Sequence, residues 1–158
     1  MIKLNLGSGK RNQEGYTNID AVKRTEETVV GNILELTYED ASIDEIFSEH
    51  MIEHLTKNEF DHFFSECSRM LKSGGKLALY APCIVSAINS YNKGDWPIAQ
   101  LEEFLYAEHL HEYDYHRHGI YEEKLRRMCT KYNFAVDSIE HRDTTWSLNE
   151  IVLLATKL

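Results

Sequence analysis

Several features are scarce in this sequence, and each scarcity excludes something. The 158 residues include only three cysteines, Cys67, Cys83 and Cys129, with no C-x-x-C among them. An odd, scattered set of this kind rules out a disulfide framework and a cysteine zinc site, and fits reduced core thiols in a cytoplasmic protein. There are only two prolines and eight glycines, and no linker rich in Pro, Gly or Ser. The chain therefore reads as one domain spanning 1–158. Basic residues are also few: Lys and Arg number 17 against 26 Asp and Glu, a formal net charge of −9. Nucleic-acid binders usually carry a basic patch or stripe, so no nucleic-acid partner is expected. No apolar run is long enough to cross a bilayer, so no membrane partner is expected either. Met1 runs straight into the strand-like IKLNL, and no secretion leader is expected.

Strand-like and helix-like segments alternate along the chain. Strands are expected over Ile2–Leu6, Thr17–Ile19, Thr28–Val30, Glu45–Ser48, Lys76–Ala81, Phe134–His141 and Glu150–Thr156. Helices are expected over Lys57–Leu71, Pro97–Ala107 and Tyr121–Tyr132. In the first of these, Phe60, Phe63, Phe64, Cys67, Met70 and Leu71 share one face. Thr56 and Glu59 fit a capping box at its start, and Gly74-Gly75 is expected to end it. Strands separated by helices imply parallel βαβ units and an α/β sheet. The last two strands are separated only by Arg142–Asn149 and should pair antiparallel.

The first strand runs into Gly7-Ser8-Gly9. Glycines there let the backbone turn sharply and approach a ligand at the carboxyl end of a parallel sheet. The turn is not a P-loop, because Leu4 replaces the first glycine and Arg11 the final Ser/Thr. Nor is it a complete dinucleotide fingerprint, because Asn12 replaces the third glycine. Asp20, at the end of the second strand, adds a carboxylate that can accept from both hydroxyls of a ribose.

HMIEH, residues His50 to His54, spells the inverted zinc-protease signature H-x-x-E-H. It lies between an expected strand and a helix capped at Thr56, and no distal Glu or His partner is evident by pattern. No metal ligand is therefore assigned.

With these residues in place, the chain resembles the class I S-adenosylmethionine-dependent methyltransferases, in particular the small methyltransferase type 11 group. The resemblance covers nearly the whole chain. LNLGSGK resembles the first motif, NID the acid of the second strand, and VVGNILEL the segment bordering an adenine. SIDEIFSEHMIEHL resembles the fourth strand and its turn, and FSECSRMLKSGGKLALYAP the helix and strand that follow. The resemblance implies a Rossmann-like, mostly parallel seven-stranded sheet of order 3-2-1-4-5-7-6 with a C-terminal antiparallel hairpin. It implies S-adenosylmethionine as cofactor and S-adenosylhomocysteine as product. By the same resemblance Gly7, Ser8 and Gly9 would line the methionine and ribose parts, and Asp20 would bind the ribose. Asn32 and Ile33 would border the adenine, and Glu49 and His50 would floor the pocket.

The chain departs from that family in two ways. Only ten residues separate Leu6 from Thr17, so the first crossover should be shortened, and the N-terminal lid helices should be missing. Asn32 stands where many relatives have Asp. The open pocket makes a homodimer conceivable.

The acceptor region should be the long segment after the fifth strand, which holds His109, His111, His116 and His118. Three readings of this cluster stay open: a substrate-facing loop with His116 or His118 as catalytic base or orienting group, a metal site, or a surface loop packed over the sheet. The implied reaction is O- or N-directed methyl transfer to a small molecule, with a sugar or glycan precursor suggested by resemblance. The alternative is a non-catalytic binding module with the same fold.

Overall fold

The computed structural model describes residues 1–107, 113–142 and 149–158. Its seven strands are β1 (Lys3–Leu6), β2 (Thr17–Asp20), β3 (Val29–Val30), β4 (Ile43–Glu49), β5 (Leu71–Pro82), β6 (Phe134–Arg142) and β7 (Glu150–Lys157). They form one sheet in the order β3-β2-β1-β4-β5-β7-β6, as the resemblance implies. All pairs are parallel except β5–β7 and β6–β7.

Alternation along the strands explains the core. Leu4, Leu6, Ile19, Ile46, Leu77, Leu79, Ile151 and Leu153 are buried, and belong to one continuous hydrophobic cluster. Helix α1 (Lys57–Met70) adds Phe60, Phe63, Phe64, Cys67 and Met70 to it. Each such side chain contributes roughly 1.5–3 kcal/mol when fully buried. The expected capping box is present: the Glu59 backbone N–H donates to Thr56, and the Thr56 N–H donates to the Glu59 carboxylate. Helix α4 (Glu122–Lys131) contributes Leu125, Met128 and Cys129 to the same cluster. The three cysteines are buried free thiols.

Two features differ from the sequence expectation. Gly74-Gly75 does not end α1. The helix stops when Leu71 turns extended, and the glycines lie inside β5, where the register against β4 shifts. Residues 84–93, read as part of the acceptor segment, form helix α2 (Ile84–Lys93), closed by Gly94 in the left-handed conformation. Only Ala87 of α2 is buried, although Ile84, Ala87, Ile88 and Tyr91 recur at helical spacing. Ala87 packs with Trp96 and with Leu101 of helix α3 (Ile98–Tyr106) in a small second cluster.

The first crossover is short, as expected. Residues 7–16 form turns and loop without a helix. Two buried amides replace the missing helix. Asn5 Nδ2 donates to the Arg11 carbonyl and to Asn18 Oδ1. Asn18 Oδ1 also accepts from the Gln13 N–H, and its Nδ2 donates to the Gln13 and Tyr16 carbonyls. Buried polar groups in such a network are costly to orphan. Replacing Asn18 by alanine should cost about 1–3 kcal/mol of unfolding free energy in urea melts, because Asn5 and the Gln13 N–H would lose their acceptor.

Candidate cofactor and acceptor site

The four parallel strands β3, β2, β1 and β4 point the same way, so their carboxyl ends meet along one edge. Gly7-Ser8-Gly9 leaves β1, Asp20 closes β2, Gly31-Asn32-Ile33 leaves β3, and Glu49-His50 leaves β4. The eight cofactor residues expected from the sequence meet here. Gly7, Gly9, Asp20, Asn32, Ile33 and His50 line a cleft of about 620 Å³. Ser8 and Glu49 line an adjoining pocket of about 320 Å³, together with Gly7, Gly9 and His50. Both volumes fall in the range of small-molecule sites.

Gly7 and Gly9 both have positive φ, +70° and +54°. The N–H groups of Gly7 and Ser8 both donate to the Ile19 carbonyl, which fixes the turn to β2. Asp20 then holds it from the other side: Oδ2 accepts from the Gly9 N–H at 2.8 Å and Oδ1 from the Val22 N–H at 2.9 Å. A carboxylate has about four lone-pair sites, so two backbone bonds leave room for two ligand hydroxyls. The Ser8 hydroxyl is buried and has no hydrogen-bond partner among the described residues. Asn32 Oδ1 accepts from the Leu34 N–H, and Glu49 pairs with Arg11 at 2.6 Å.

His50 is held in the left-handed region, φ +50°, with its N–H on the Tyr80 carbonyl. It is not on a helix with His54; only Ile52–His54 makes a single 3-10 turn. That rules out the zinc-protease geometry of HMIEH. The His50 ring lies between two buried acids, 3.1 Å from Glu150 and 3.6 Å from Glu53. Burial disfavours its charge, but the two carboxylates outweigh burial and raise its pKa above the ordinary value.

Sequence reasoning did not place Met51, His54, Tyr113, Asp114 and Arg117 at the cleft, yet they line its far side. Residues 113–117 come from a loop more than sixty positions away, so no local pattern marks them. Behind this wall lies another cavity of about 280 Å³, lined among others by Glu53, Phe104, His116, His118 and Ile120. The two histidines singled out as catalytic candidates therefore sit at the second cavity and are absent from the lining of the main cleft. His116 Nδ1 donates to the Phe104 carbonyl at 2.8 Å. His118 Nε2 donates to the Ile52 carbonyl at 2.9 Å, and its Nδ1 takes a contact from Lys124, so both its nitrogens are engaged. Burial lowers the pKa of both rings, and brings Lys124 down to about 8. His109 and His111 lie outside the described residues.

Known proteins bear on this geometry. Residues 10–79 match the family model described as a methyltransferase domain. A comparison with curated proteins gives no significant match. Among solved structures, the chain is similar to a SAM-dependent methyltransferase from Methanosarcina mazei, at 22% identity and TM-score 0.72, over 99% of this chain and 92% of that one. It is similar to a SAM-dependent methyltransferase from Archaeoglobus fulgidus, at 14% identity and TM-score 0.66, over 98% of this chain and 85% of that one. It is also similar to the 1,6-didemethyltoxoflavin-N1-methyltransferase of Burkholderia thailandensis, solved with bound 1,6-didemethyltoxoflavin and S-adenosylhomocysteine, at 13% identity and TM-score 0.68, over 99% of this chain and 70% of that one. Among the described residues no helix is long and apolar enough to cross a membrane. The chain thus has the fold of these methyltransferases, and its residues 10–79 match a methyltransferase-domain model.

Proposed function

We propose that this protein transfers the methyl group of S-adenosylmethionine to the oxygen or nitrogen of a small molecule. The observation that carries the reading is the convergence of the Gly7–Gly9 turn, the Asp20 carboxylate, Asn32-Ile33 and His50 on one cleft. The site fits the cofactor on three counts: an acid with lone pairs to spare, glycines that admit close backbone approach, and a buried Ser8 hydroxyl in want of a partner. When bound, the cofactor supplies an electrophilic methyl carbon; the acceptor's lone pair bonds to it as the carbon–sulfur bond breaks and its electron pair stays on sulfur.

The residues of this chain bind and orient. Asp20 accepts from the ribose, Asn32 and Ile33 border the adenine, and Glu49 and His50 floor the pocket. His116 faces the acceptor side with Nε2 left as its lone-pair nitrogen, because a carbonyl can only accept and Nδ1 must carry the hydrogen toward Phe104. His118 positions this wall through Ile52 and Lys124. The small second cavity favours a compact acceptor, and a sugar or glycan precursor remains part of the proposal by resemblance alone. Positioning of this kind can supply most of the acceleration of a displacement. A homodimer belongs to the same proposal: the sheet face bearing Tyr16, Phe47 and Tyr80 is only half-buried and offers a second copy an apolar surface.

Calorimetric titration with S-adenosylhomocysteine, with a chelator present, tests the reading. One site per chain with micromolar affinity is the expected result. No binding at millimolar ligand would overturn it. A binding module that keeps the fold without turnover is the second reading, favoured by the helix-free first crossover. Methyl transfer to any acceptor in a radiolabel assay would eliminate it.

A further inference from the structure

Glu53 is 1% exposed, and neither of its carboxylate oxygens has a hydrogen-bond partner among the described residues. Burying a carboxylate costs several kcal/mol unless it is paired and hydrogen-bonded. The closest opposing groups are ring nitrogens, His50 Nδ1 at 3.6 Å and His54 Nε2 at 3.7 Å, both too far for a hydrogen bond. Burial pushes the Glu53 pKa up, but its pairing with His50 leads the opposing effects and the net direction is down.

The histidines around it are arranged in a particular way. His54 Nδ1 donates to the Tyr115 carbonyl at 3.1 Å, and His116 Nδ1 donates to the Phe104 carbonyl at 2.8 Å. In each ring the hydrogen is committed to Nδ1, so Nε2 is left with its lone pair. The rings lie 5.0 Å apart at 63°. One donor atom each from Glu53, His54 and His116 falls within 4.8 Å of the others. The Glu53 carbonyl accepts from the Arg117 N–H at 2.9 Å, which ties the His116 loop to the 3-10 turn.

A histidine that ligates a metal almost always donates its other ring N–H to a carbonyl, carboxylate or water, which fixes the tautomer. Two such histidines and one carboxylate form a set that suits first-row divalent metals, with coordination positions left open. Tetrahedral ligands at about 2.0–2.2 Å from zinc stand about 3.3–3.5 Å apart, so the 3.7 Å contact needs only a small side-chain shift. The neighbouring Glu49–His50–Glu150 group differs. There His50 already pairs with Glu150 at 3.1 Å, and Glu49 with Arg11 at 2.6 Å.

We propose that Glu53, His54 and His116 bind a divalent metal ion of the zinc class in the wall between the main cleft and the second cavity. His54 lines the cleft, while Glu53 and His116 line the cavity, so the ion has access to both. Ligation takes up the His116 lone pair, so with the ion bound His116 orients and does not accept a proton. The site stands whether or not the cleft takes S-adenosylmethionine, and its test is read without that ligand.

The test uses full-length protein without a polyhistidine tag, stripped with chelator and dialysed. Co²⁺ is titrated while visible d–d absorption is recorded, and Zn²⁺ is then added as competitor. The expected result is one Co²⁺ per chain at micromolar affinity or tighter, displaced by Zn²⁺. Glu53→Gln, His54→Ala and His116→Ala should each weaken binding ten-fold or more. His62→Ala and the double variant His109→Ala/His111→Ala should bind as the parent does. Absence of a Co²⁺ spectrum at about millimolar metal would overturn the proposal. Retention of full affinity in Glu53→Gln or in both histidine variants would do the same. Thermal melts of the parent protein give a reading that does not depend on the variants folding: Zn²⁺ should raise the Tm, and an unmoved Tm counts against the site.

Discussion

Replacing Asp20 by alanine should weaken S-adenosylhomocysteine binding at least ten-fold, and by as much as about 100-fold. Hydrogen bonds to a charged group are worth about 1.5–3 kcal/mol, and each 1.4 kcal/mol is a factor of ten. The carboxylate does two jobs in this fold. On the proposed reading it offers its remaining lone pairs to the ribose, and it holds the glycine turn through the Gly9 N–H and the next loop through the Val22 N–H. Alanine removes both. Asparagine keeps one acceptor oxygen, so Asp20→Asn should fall between the parent and Asp20→Ala. Calorimetric titration of the three proteins gives the order directly. An affinity unchanged in Asp20→Ala would end the ribose assignment, and would leave Asp20 as a turn clamp only. Thermal melts of the same variants separate the two jobs, since only the loss of the clamp destabilises the unliganded protein.

The second large effect falls on Gly7. A Cβ added there would lie 2.3 Å from Met51 Cγ and 2.7 Å from Met51 Cβ, in a backbone conformation of φ +70°. The left-handed conformation costs an alanine about 1–2 kcal/mol. Crowding in a packed interior adds about 1–3 kcal/mol. Met51 cannot swing clear easily, because it is 8% exposed and part of the main core, and its Cβ is fixed to the backbone. Gly7→Ala should therefore lose about 2–5 kcal/mol, a large share of the 5–15 kcal/mol by which domains are ordinarily stable. Gly9 supplies the internal control. Its φ is +54°, but nothing lies within 4 Å of an added Cβ. Gly9→Ala should cost only the conformational part. Urea denaturation of both variants isolates the contact with Met51 as their difference, and equal losses would show that the contact carries no energy.

Much of the proposed cofactor cleft could be read as converging residues in the sequence because its parts sit at the ends of short local patterns. The Gly7-Ser8-Gly9 turn directly follows an alternating strand, and Asp20 directly follows the next one. Parallel pairing of β1 with β2 and β4 then brings these ends together without further instruction. The capping box at Thr56 and the phenylalanine stripe of α1 were legible for the same reason: a helix is read within a few residues of itself. Helix α2 was not, because its Ile84, Val85 and Ile88 are β-branched and compete with the helical spacing of Ile84, Ala87, Ile88 and Tyr91. Gly74-Gly75 misled because a glycine pair after a helix signals a cap as strongly as it signals a strand irregularity.

The sequence by itself determined the alternation of strands and helices, the glycine turn, and the acid that faces it, since each depends on neighbours a few positions away. Tertiary structure alone decided what HMIEH means. In a helix the motif would set His50 and His54 on one face, but the left-handed backbone at His50 removes that pairing. Instead, the Glu53 carbonyl captures the Arg117 N–H, and that bond brings His116 to Glu53 and His54 across more than sixty residues of chain. Periodicity reports only which residues share a face. Which distant face that surface meets depends on how the loop packs against the sheet.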